Sequence, residues 1–391
     1  MHANLPNTYQ YIIAGGGMAG LSLAFYLNQS TLKNQSILII DREIKSANDH
    51  TWCFWEQGRG TFEEIIYRQW NGLWFYGHQD FAQFLAIEEY AYKMLRGEDF
   101  YQFVIPLLKQ NPNITFLQAD VLAIKSENNV AEVQTNQGLF MAEQWVFDSV
   151  SVSKFNQPNY HNMLQHFKGW VIESDKPSFQ PAQPTLFDFR IEQQNECRFV
   201  YVLPHSETKA LIEFTIFSDN LLKDEDYDVQ LKQYIREVLK IESYRIEEVE
   251  KGVIPMSDEP QLISPMPKVM RIGTAGGYVK ASTGYSFQRT QRFLQRLVKD
   301  LEQPQNLKTL GNFGTSTWKA LLDSVLLNVM LHKRMPADEI FTSLFKHNRP
   351  ADVLKFLDED TSFWQDIALM QSVPSIPFML GAKGVLLSKL Y

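Results

Sequence analysis

The sequence has few cysteines, no long apolar run and no excess of positive charge. Only Cys53 and Cys197 occur among its 391 residues, which excludes a disulfide framework and a thiolate metal site and favours a reducing, cytoplasmic setting. The histidines are scattered without the helical spacing of a zinc site, so we expect no metal site. The formal net charge of −8 argues against a nucleic-acid partner. No apolar run reaches the roughly 18 residues of a membrane-spanning helix.

Apolar and aromatic residues are plentiful instead. Hydrophobic residues make up 45% of the chain and aromatic residues 13%, which predicts a globular protein with a sizeable core. The aromatic content suits a large apolar ligand cavity and equally an ordinary bulky core. The length favours two to three domains.

A glycine-rich segment near the start of the chain predicts a dinucleotide site. Gly15, Gly17 and Gly20 follow an apolar strand and precede a helical run, in the G-x-G-x-x-G spacing. Such glycines permit a tight turn, close approach of a pyrophosphate and packing of the helix on the strand. A second apolar strand, Ile37–Ile40, ends in Asp41, about twenty residues later, where an acid can accept a hydrogen bond from a ribose hydroxyl. The alternative is a glycine-rich turn that binds nothing.

The rest of the chain alternates helical and strand patterns. In chain order, the pattern predicts a helix over Asp80–Leu95, a helix ending before Pro112, a strand at Ile114–Phe116, a hairpin turning near Asn136–Gly138, strands between Gly169 and Ser218, a helix over Lys223–Leu239, a second strand, glycine turn and helix over Lys268–Val298, and helices from Pro304 onward. These elements predict an α/β protein whose nucleotide-binding domain is built from separated segments. The expected domains are a Rossmann-like domain of residues 1–76, 96–165 and 250–300, an inserted antiparallel β-sheet substrate domain of residues 77–95 and 166–249, and a helical C-terminal region of residues 301–391.

Two acids stand in apolar strands of the predicted sheet. Glu213 in "ALIEFT" is costly to bury unless it is paired or functional, although an alternating strand can also turn one polar residue to solvent. Asp188 and Arg190 in "LFDFR" share one face of their strand, either as a supporting pair of a site or as a structural ion pair.

Several segments together resemble the lycopene cyclases, in particular the bacterial lycopene beta-cyclase branch. They are the glycine turn, "DHTWCFW", "YKMLRGEDFY", "GWVIES", "LFDFR", "FVYVLPHSETKALIEFT", "GVIPM" and "RIGTAGGYVKASTGYSF". The resemblance covers essentially the whole chain. It implies a fold like that of the aromatic-hydroxylase flavoproteins, FAD in its reduced form with NAD(P)H as a candidate electron source, and cyclisation of the linear ends of lycopene without net redox change.

The resemblance also implies roles for particular residues. Glu213 becomes the catalytic acid, with Asp188 as a supporting catalytic residue. The residues implied to hold FAD are Gly15, Gly17, Gly20, Asp41, Arg96, Gly273, Gly276, Thr283 and Gly284, although Arg96 is equally a surface arginine. The aromatic residues that can offer ring faces to a carbocation, or simply pack in the core, are Trp52, Phe54, Trp55, Trp70 and Trp74. The chain departs from the family where Lys280-Ala281 replaces a His-Pro pair and where Phe214 replaces the second of two adjacent glutamates of the plant enzymes.

The last apolar stretch offers a contact with membranes. Residues Ser372–Tyr391 are apolar with Lys383 and Lys389, a pattern of a helix lying at a bilayer surface or of a segment docked on the core. We therefore expect a cytoplasmic protein peripheral to the inner face of the membrane, with lycopene as its substrate and an oligomeric state that the sequence leaves open. The rival hypotheses are a flavin monooxygenase or isoprenoid reductase, and a membrane-associated carotenoid-binding flavoprotein.

Overall fold

A seven-stranded sheet carries the first glycine turn. The computed structural model describes residues 7–152, 154–303 and 316–388. The strands of this sheet are β1 (Thr8–Ala14), β2 (Ile37–Asp41), β8 (Ile114–Gln118), β9 (Val121–Glu127), β10 (Val130–Thr135), β11 (Gly138–Asp148) and β17 (Val269–Arg271). They lie in the order β8, β2, β1, β11, β10, β9, with β17 paired to β11. The strands around β1 are parallel and apolar on both faces, because helices cover one face and the β9–β11 layer covers part of the other.

Three helices pack on one face of this sheet. They are α1 (Met18–Asn28), α2 (Gly97–Lys109) and α4 (Phe287–Leu301), and their apolar residues share a core with β1 and β2. The helix predicted to end before Pro112, the strand after it and the hairpin at Asn136–Gly138 are confirmed. The second strand, turn and helix over Lys268–Val298 are confirmed as well.

A second seven-stranded sheet lies beside the first. Its strands are β5 (Gly72–Tyr76), β6 (Ala82–Ala86), β12 (Asn162–Ser174), β13 (Thr185–Asp188), β14 (Cys197–Pro204), β15 (Lys209–Ser218) and β16 (Tyr244–Ser257), in the order β16, β12, β15, β14, β13, β5, β6. All the pairings are antiparallel except that of β13 with β5. The helix α3 (Asp224–Glu237) packs on one face against residues such as Trp170, Ile212 and Phe214. The other face meets the small sheet and the C-terminal helices. The predicted domain boundaries at residues 76 and 249 stay a prediction. Near these boundaries, β5 and β16 both lie in the second sheet.

A small sheet of β3 (Thr51–Gln57), β4 (Arg68–Trp70) and β7 (Tyr90–Arg96) lies at the junction, in the order β3, β7, β4. The helix predicted over Asp80–Leu95 is wrong, because β6 and β7 occupy that stretch. Its aromatic and β-compatible residues face two different neighbours: Tyr92 and Met94 enter one core, whereas Leu95 enters the other. A strand between two packed layers buries both faces and loses the alternation that identifies it in sequence.

The C-terminal region is helical in the described residues, as predicted. Its helices are α5 (Thr317–Leu331), α6 (Ala337–His347), α7 (Pro350–Leu357), α8 (Phe363–Met370) and α9 (Ser375–Ser388). The helices α5 to α7 bury apolar residues against the second sheet. Lys389, part of the predicted tail, lies outside the described residues.

Candidate active site

The first glycine turn has the geometry of a dinucleotide site. Gly15 has a positive φ of 107°, and a Cβ at Gly20 would overlap the carbonyl oxygen of Gly15, so both positions require glycine. Space is open beside Gly17 at the N-terminus of α1. Asp41 lies where predicted, at the end of β2, and accepts a hydrogen bond from the Gly16 N–H at 2.6 Å. The helix N-terminus can therefore receive a pyrophosphate, with a carboxylate beside it.

The second glycine turn lies directly against the first. A Cβ at Gly273 would be 2.7 Å from the Cβ of Ala19, in the first turn of α1, and a Cβ at Gly276 would be 2.6 Å from the carbonyl oxygen of Arg271. The two glycine segments, distant in sequence, therefore meet where Gly273 packs against the side chain of Ala19. This juxtaposition fits one extended nucleotide that contacts both turns.

Unpaired polar atoms mark the far end of the second segment. Gly284 has a positive φ of 75°, and a Cβ there would overlap Gln165 Oε1. The hydroxyl of Thr283 and Oε1 of Gln165 are buried without a hydrogen-bond partner among the described residues. Buried polar atoms that lack a protein partner are what a polar cofactor ring would satisfy. The residues present therefore fit a flavin, which Thr283 and Gln165 would help to hold.

Arg96 lies at the start of α2, at the predicted transition from strand to helix. Its guanidinium donates to both carboxylate oxygens of Asp99, at 2.7 and 2.9 Å, and lies 3.9 Å from the ring centroid of Tyr67. Both groups hold the side chain in place, and its contact with FAD stays a prediction.

Lys280, one of the departures from the family pattern, joins the second glycine segment to the helical region. Its buried Nζ donates to Asp323 of α5 at 2.7 Å and to Glu359 at 3.0 Å. The hydroxyl of Ser282 donates to the same Asp323 oxygen at 2.7 Å. The segment that precedes Thr283 is thus fixed to α5 through a shared carboxylate.

Glu213 forms a pair with a second glutamate that the sequence did not single out. Gly169 of β12 lies opposite Glu213 of β15 on one side and opposite Glu250 of β16 on the other. Residues opposite one another in antiparallel strands project from the same face of the sheet. Because Gly169 has no side chain, nothing stands between the two glutamates, and each carboxyl group lies close enough to shift the pKa of the other. A Cβ at Gly169 would lie 3.0 Å from Glu250 Cγ.

The glutamate pair faces a cavity of about 100 Å³. Aromatic side chains form much of its wall, and Thr283 and Gly284 of the second glycine segment line it too. The aromatic residues are Trp52, Tyr92, Phe167, Tyr201, Tyr285 and Phe287. Of the five aromatic residues proposed from sequence, Trp52 is the one that lines this cavity; Phe54, Trp55 and Trp70 are buried in cores, and Trp74 stacks on Tyr76.

The environment of the pair favours the protonated acid. Burial, and then the charge of Glu250, raise the pKa of Glu213 well above its ordinary value. Burial also raises the pKa of Glu250, although a hydrogen bond from Thr51 opposes this. The hydroxyl of Thr215 donates to Glu213 Oε1 at 2.8 Å. Neither glutamate forms a salt bridge within the described part of the chain, so the pair can hold a proton near neutral pH.

Asp188 lies on the opposite face of the second sheet. It is in register with Val200, whose side chain packs in the core beneath α3, whereas Glu213 is in register with Tyr201 of the cavity wall. Its carboxylate accepts from Arg190 at 2.6 and 2.9 Å and from the Tyr234 hydroxyl at 2.7 Å. The structure therefore does not bring Asp188 to the glutamate pair, and its contacts are those of the alternative, a structural ion pair.

The sequence carried weak signals for the residues that were missed. Glu250 stands in "EEVEKG" among other glutamates, and only the register of β16 with Gly169 distinguishes it. Tyr92 lay in the stretch predicted to be a helix, and Tyr201 in a fully buried strand that shows no preferred face.

Solved structures with the same fold include a reductase-like protein, a monooxygenase and a flavin-dependent brominase. A geranylgeranyl bacteriochlorophyll reductase-like protein from Thermoplasma acidophilum superposes with a TM-score of 0.67 at 15% identity, over 94% of this chain and 100% of that chain. A p-nitrophenol 4-monooxygenase from Pseudomonas putida gives a TM-score of 0.58 at 11% identity, over 94% and 98%. The fold is that of the flavin-dependent hydroxylase and monooxygenase class, as the sequence predicted.

The sequence comparisons identify the family within that class. A family model described as lycopene cyclase protein matches residues 11–383. The lycopene beta-cyclase of Pantoea ananas is 21% identical over 97% of this chain and 98% of its own length, and that of Pseudescherichia vulneris is 24% identical over 70% and 69%. The chain belongs to the lycopene cyclase family.

Proposed function

We propose that this protein is a lycopene beta-cyclase, an isomerase that converts the linear ψ ends of lycopene to β-ionone rings, giving γ-carotene and then β-carotene. The observation that carries the proposal is the acid pair of Glu213 and Glu250, which faces an aromatic cavity bordered by Thr283 and Gly284. The family match and the names of its relatives support the same activity. FAD in its reduced form is the proposed cofactor, with NAD(P)H as the electron source.

The chemistry of ring closure explains why a protonated acid is needed. A proton adds to C2 of the terminal double bond, the cation at C1 is captured by the next double bond, and a proton leaves C6. An alkene is a very weak base, so the acid must keep its proton near neutral pH and the cation must be stabilised as it forms. A raised pKa of Glu213 meets the first requirement.

The cavity wall meets the second requirement. Rings such as Trp52, Tyr201 and Phe287 can offer π faces to the cation, each worth on the order of 2 kcal/mol in a desolvated pocket. A reduced flavin held by residues such as Thr283 would supply negative charge to the same space. Atoms balance without an oxidant or reductant, since one proton enters and one leaves at each ring.

An anaerobic assay with reduced FAD and lycopene tests the activity. We expect a product of unchanged mass with the visible spectrum of a cyclic carotene. A mass increase by oxygen or hydrogen would instead support the monooxygenase or the isoprenoid reductase. Unaltered lycopene that co-purifies with the protein would support the carotenoid-binding flavoprotein.

We further propose that α9 docks on the membrane from which lycopene is drawn, which makes the protein peripheral to the inner face. This helix turns its small residues inward: Gly381 and Val385 are buried against α5. Its large apolar residues are exposed instead, namely Ile376, Met379, Leu380, Leu386 and Leu387. Among the described residues no helix is long and apolar enough to cross a bilayer. An apolar outer face on a short helix suits insertion into the bilayer surface.

Liposome flotation tests this surface. The double variant Ile376→Glu, Met379→Glu should lose at least tenfold in the bound fraction, because each apolar side chain contributes about 1.5 kcal/mol or more to insertion. Leu122→Glu is the matched control, since Leu122 is a similarly exposed apolar residue (61%) on β9, and it should float like the wild type. Equal flotation of the double variant and the control would exclude α9 as the contact.

A further inference from the structure

We propose that Glu250 is the second member of a catalytic carboxyl pair: it shares one proton with Glu213 across Gly169 and accepts the proton that leaves C6 of the ring. This inference rests on the proposed function, for which it identifies the proton acceptor. It names a residue that sequence analysis did not select.

The first argument is the position of the pair. Glu213 and Glu250 belong to strands separated by β12, so their Cα atoms are roughly 10 Å apart, and side chains normally stand between them. At this point the residue between them is Gly169, in register with both. The two carboxyl groups therefore meet. Both line the cavity, and both are partly exposed.

The second argument is the closeness of the two carboxyl groups, which lie on either side of Gly169 and line the same cavity. Two ionised carboxylates repel each other, and neither has a hydrogen to donate to the other. The absence of a salt bridge to either glutamate in the described residues leaves no fixed cation to offset this repulsion. Two carboxyl groups in such proximity hold a single proton over a wide pH range.

The third argument is the balance of protons in ring closure. Glu213 gives its proton to C2, which leaves both carboxyls ionised beside the cation. The Glu250 carboxylate then takes the proton from C6, and the electron pair of that C–H bond forms the ring double bond. C2 and C6 are both bonded to C1, so one pair of adjacent carboxyls can reach both. Transfer of the proton from Glu250 back to Glu213 restores the pair for the second end.

Other titratable groups around the pair are few. Six titratable groups from neighbouring elements face the pair. They are His50 just before β3, Cys53 on β3, Tyr92 on β7, Tyr201 on β14, Glu248 on β16 and Tyr285 after the second glycine turn. Burial raises the pKa of Cys53, Tyr92, Tyr201 and Tyr285, so these four stay neutral near neutral pH. Glu248 lies outside the cavity and accepts from Asn48 at 3.1 Å.

The test compares Glu250→Gln with the matched control Glu248→Gln, two residues away on the same strand, in the flavin-loaded protein. Infrared spectroscopy across a pH series follows the C=O band of a protonated carboxyl group. We expect this band in the wild type near neutral pH. In E250Q it should titrate at lower pH, because the like charge of Glu250 is gone; in E213Q a band should remain, because burial raises the pKa of Glu250 as well; and in E248Q it should match the wild type.

Turnover supplies the second readout. The kcat of E250Q should fall roughly 100-fold or more, with KM and bound flavin unchanged and the alkaline limb of the pH profile moved to lower pH. An unshifted band in E250Q, or no protonated band in the wild type, overturns the shared proton. A shifted band with wild-type kcat overturns the acceptor role. If the wild type itself fails to cyclise lycopene, the acceptor role falls with the proposed function, whereas the band still decides the shared proton.

Discussion

Two buried acid sites lie on opposite faces of the same sheet, and they differ in what surrounds the carboxyl group. On the face toward α3, Asp188 is surrounded by donors: the guanidinium of Arg190 and the hydroxyl of Tyr234. On the cavity face, Glu213 meets a second acid, Glu250, and a single hydroxyl. The first site holds a fixed carboxylate, and the second is built to hold a proton.

The difference explains why strand pattern alone could not separate the two. Both acids stand in apolar strands, and both would be costly to bury without a partner. The partner decides the role. A donor-saturated carboxylate contributes to stability, whereas a carboxyl beside a like charge at a cavity is available for proton transfer.

The variant Glu213→Gln should have the largest effect on activity. Loss of the general acid should lower kcat by about 100- to 10,000-fold, while the glycine turns still bind flavin. Product analysis together with the flavin absorbance of the purified variant measures both. Wild-type turnover would refute the assignment of Glu213 as the acid.

The variant Asp188→Asn should lower stability and leave the activity almost unchanged. It removes the charge that Arg190 and Tyr234 bond to, so the free energy of unfolding should fall by roughly 2–3 kcal/mol, measured by urea denaturation. The kcat of the folded enzyme should stay within about twofold, because Asp188 does not touch the cavity. A large loss of kcat without a loss of stability would place Asp188 in the catalytic machinery after all.

The outcome for these residues shows what the sequence can supply. The positions of Gly15, Gly17, Gly20 and Asp41 were predictable, because one strand, one turn and one helix fix them locally. The assignment of Glu213 as the catalytic acid, which stays a prediction, needed the family resemblance in addition, since its strand pattern also suited an outward-facing residue. Glu250 was not predictable, because its role arises from the pairing of three strands across Gly169.

The elements of the fold also divide into those that could be predicted from the sequence and those that could not. The hairpin at Asn136–Gly138 and the two glycine turns follow from short-range pattern. The stretch Asp80–Leu95 did not, because β6 and β7 lie in different sheets and β7 divides its buried residues between two cores. The spacing of apolar residues in this stretch reflects tertiary neighbours that the sequence does not reveal.

A smaller effect should appear in the way the free energy of unfolding depends on pH. The pKa of a glutamate in the unfolded chain is about 4.3, and that of Glu213 in the folded protein is higher. Between the two values the folded state holds a proton that the unfolded state has lost, so the free energy of unfolding falls as pH rises through that window. The variant E213Q has no carboxyl group at this position, so its free energy of unfolding lacks this fall with pH. Its Tm relative to wild type should therefore be a few degrees higher at about pH 9 than at about pH 5. A Tm difference that does not vary with pH would contradict the raised pKa.

The most direct test of the central claim is the fate of the acid proton in the first ring closure. The enzyme with reduced flavin is equilibrated in D₂O, so that the proton of the Glu213–Glu250 pair exchanges, and is then given lycopene for a single turnover. The account predicts a monocyclic product with one deuterium, located at C2 of the new ring, and otherwise the composition of lycopene. A first ring without deuterium, or a product that has gained oxygen or a hydride, would contradict it.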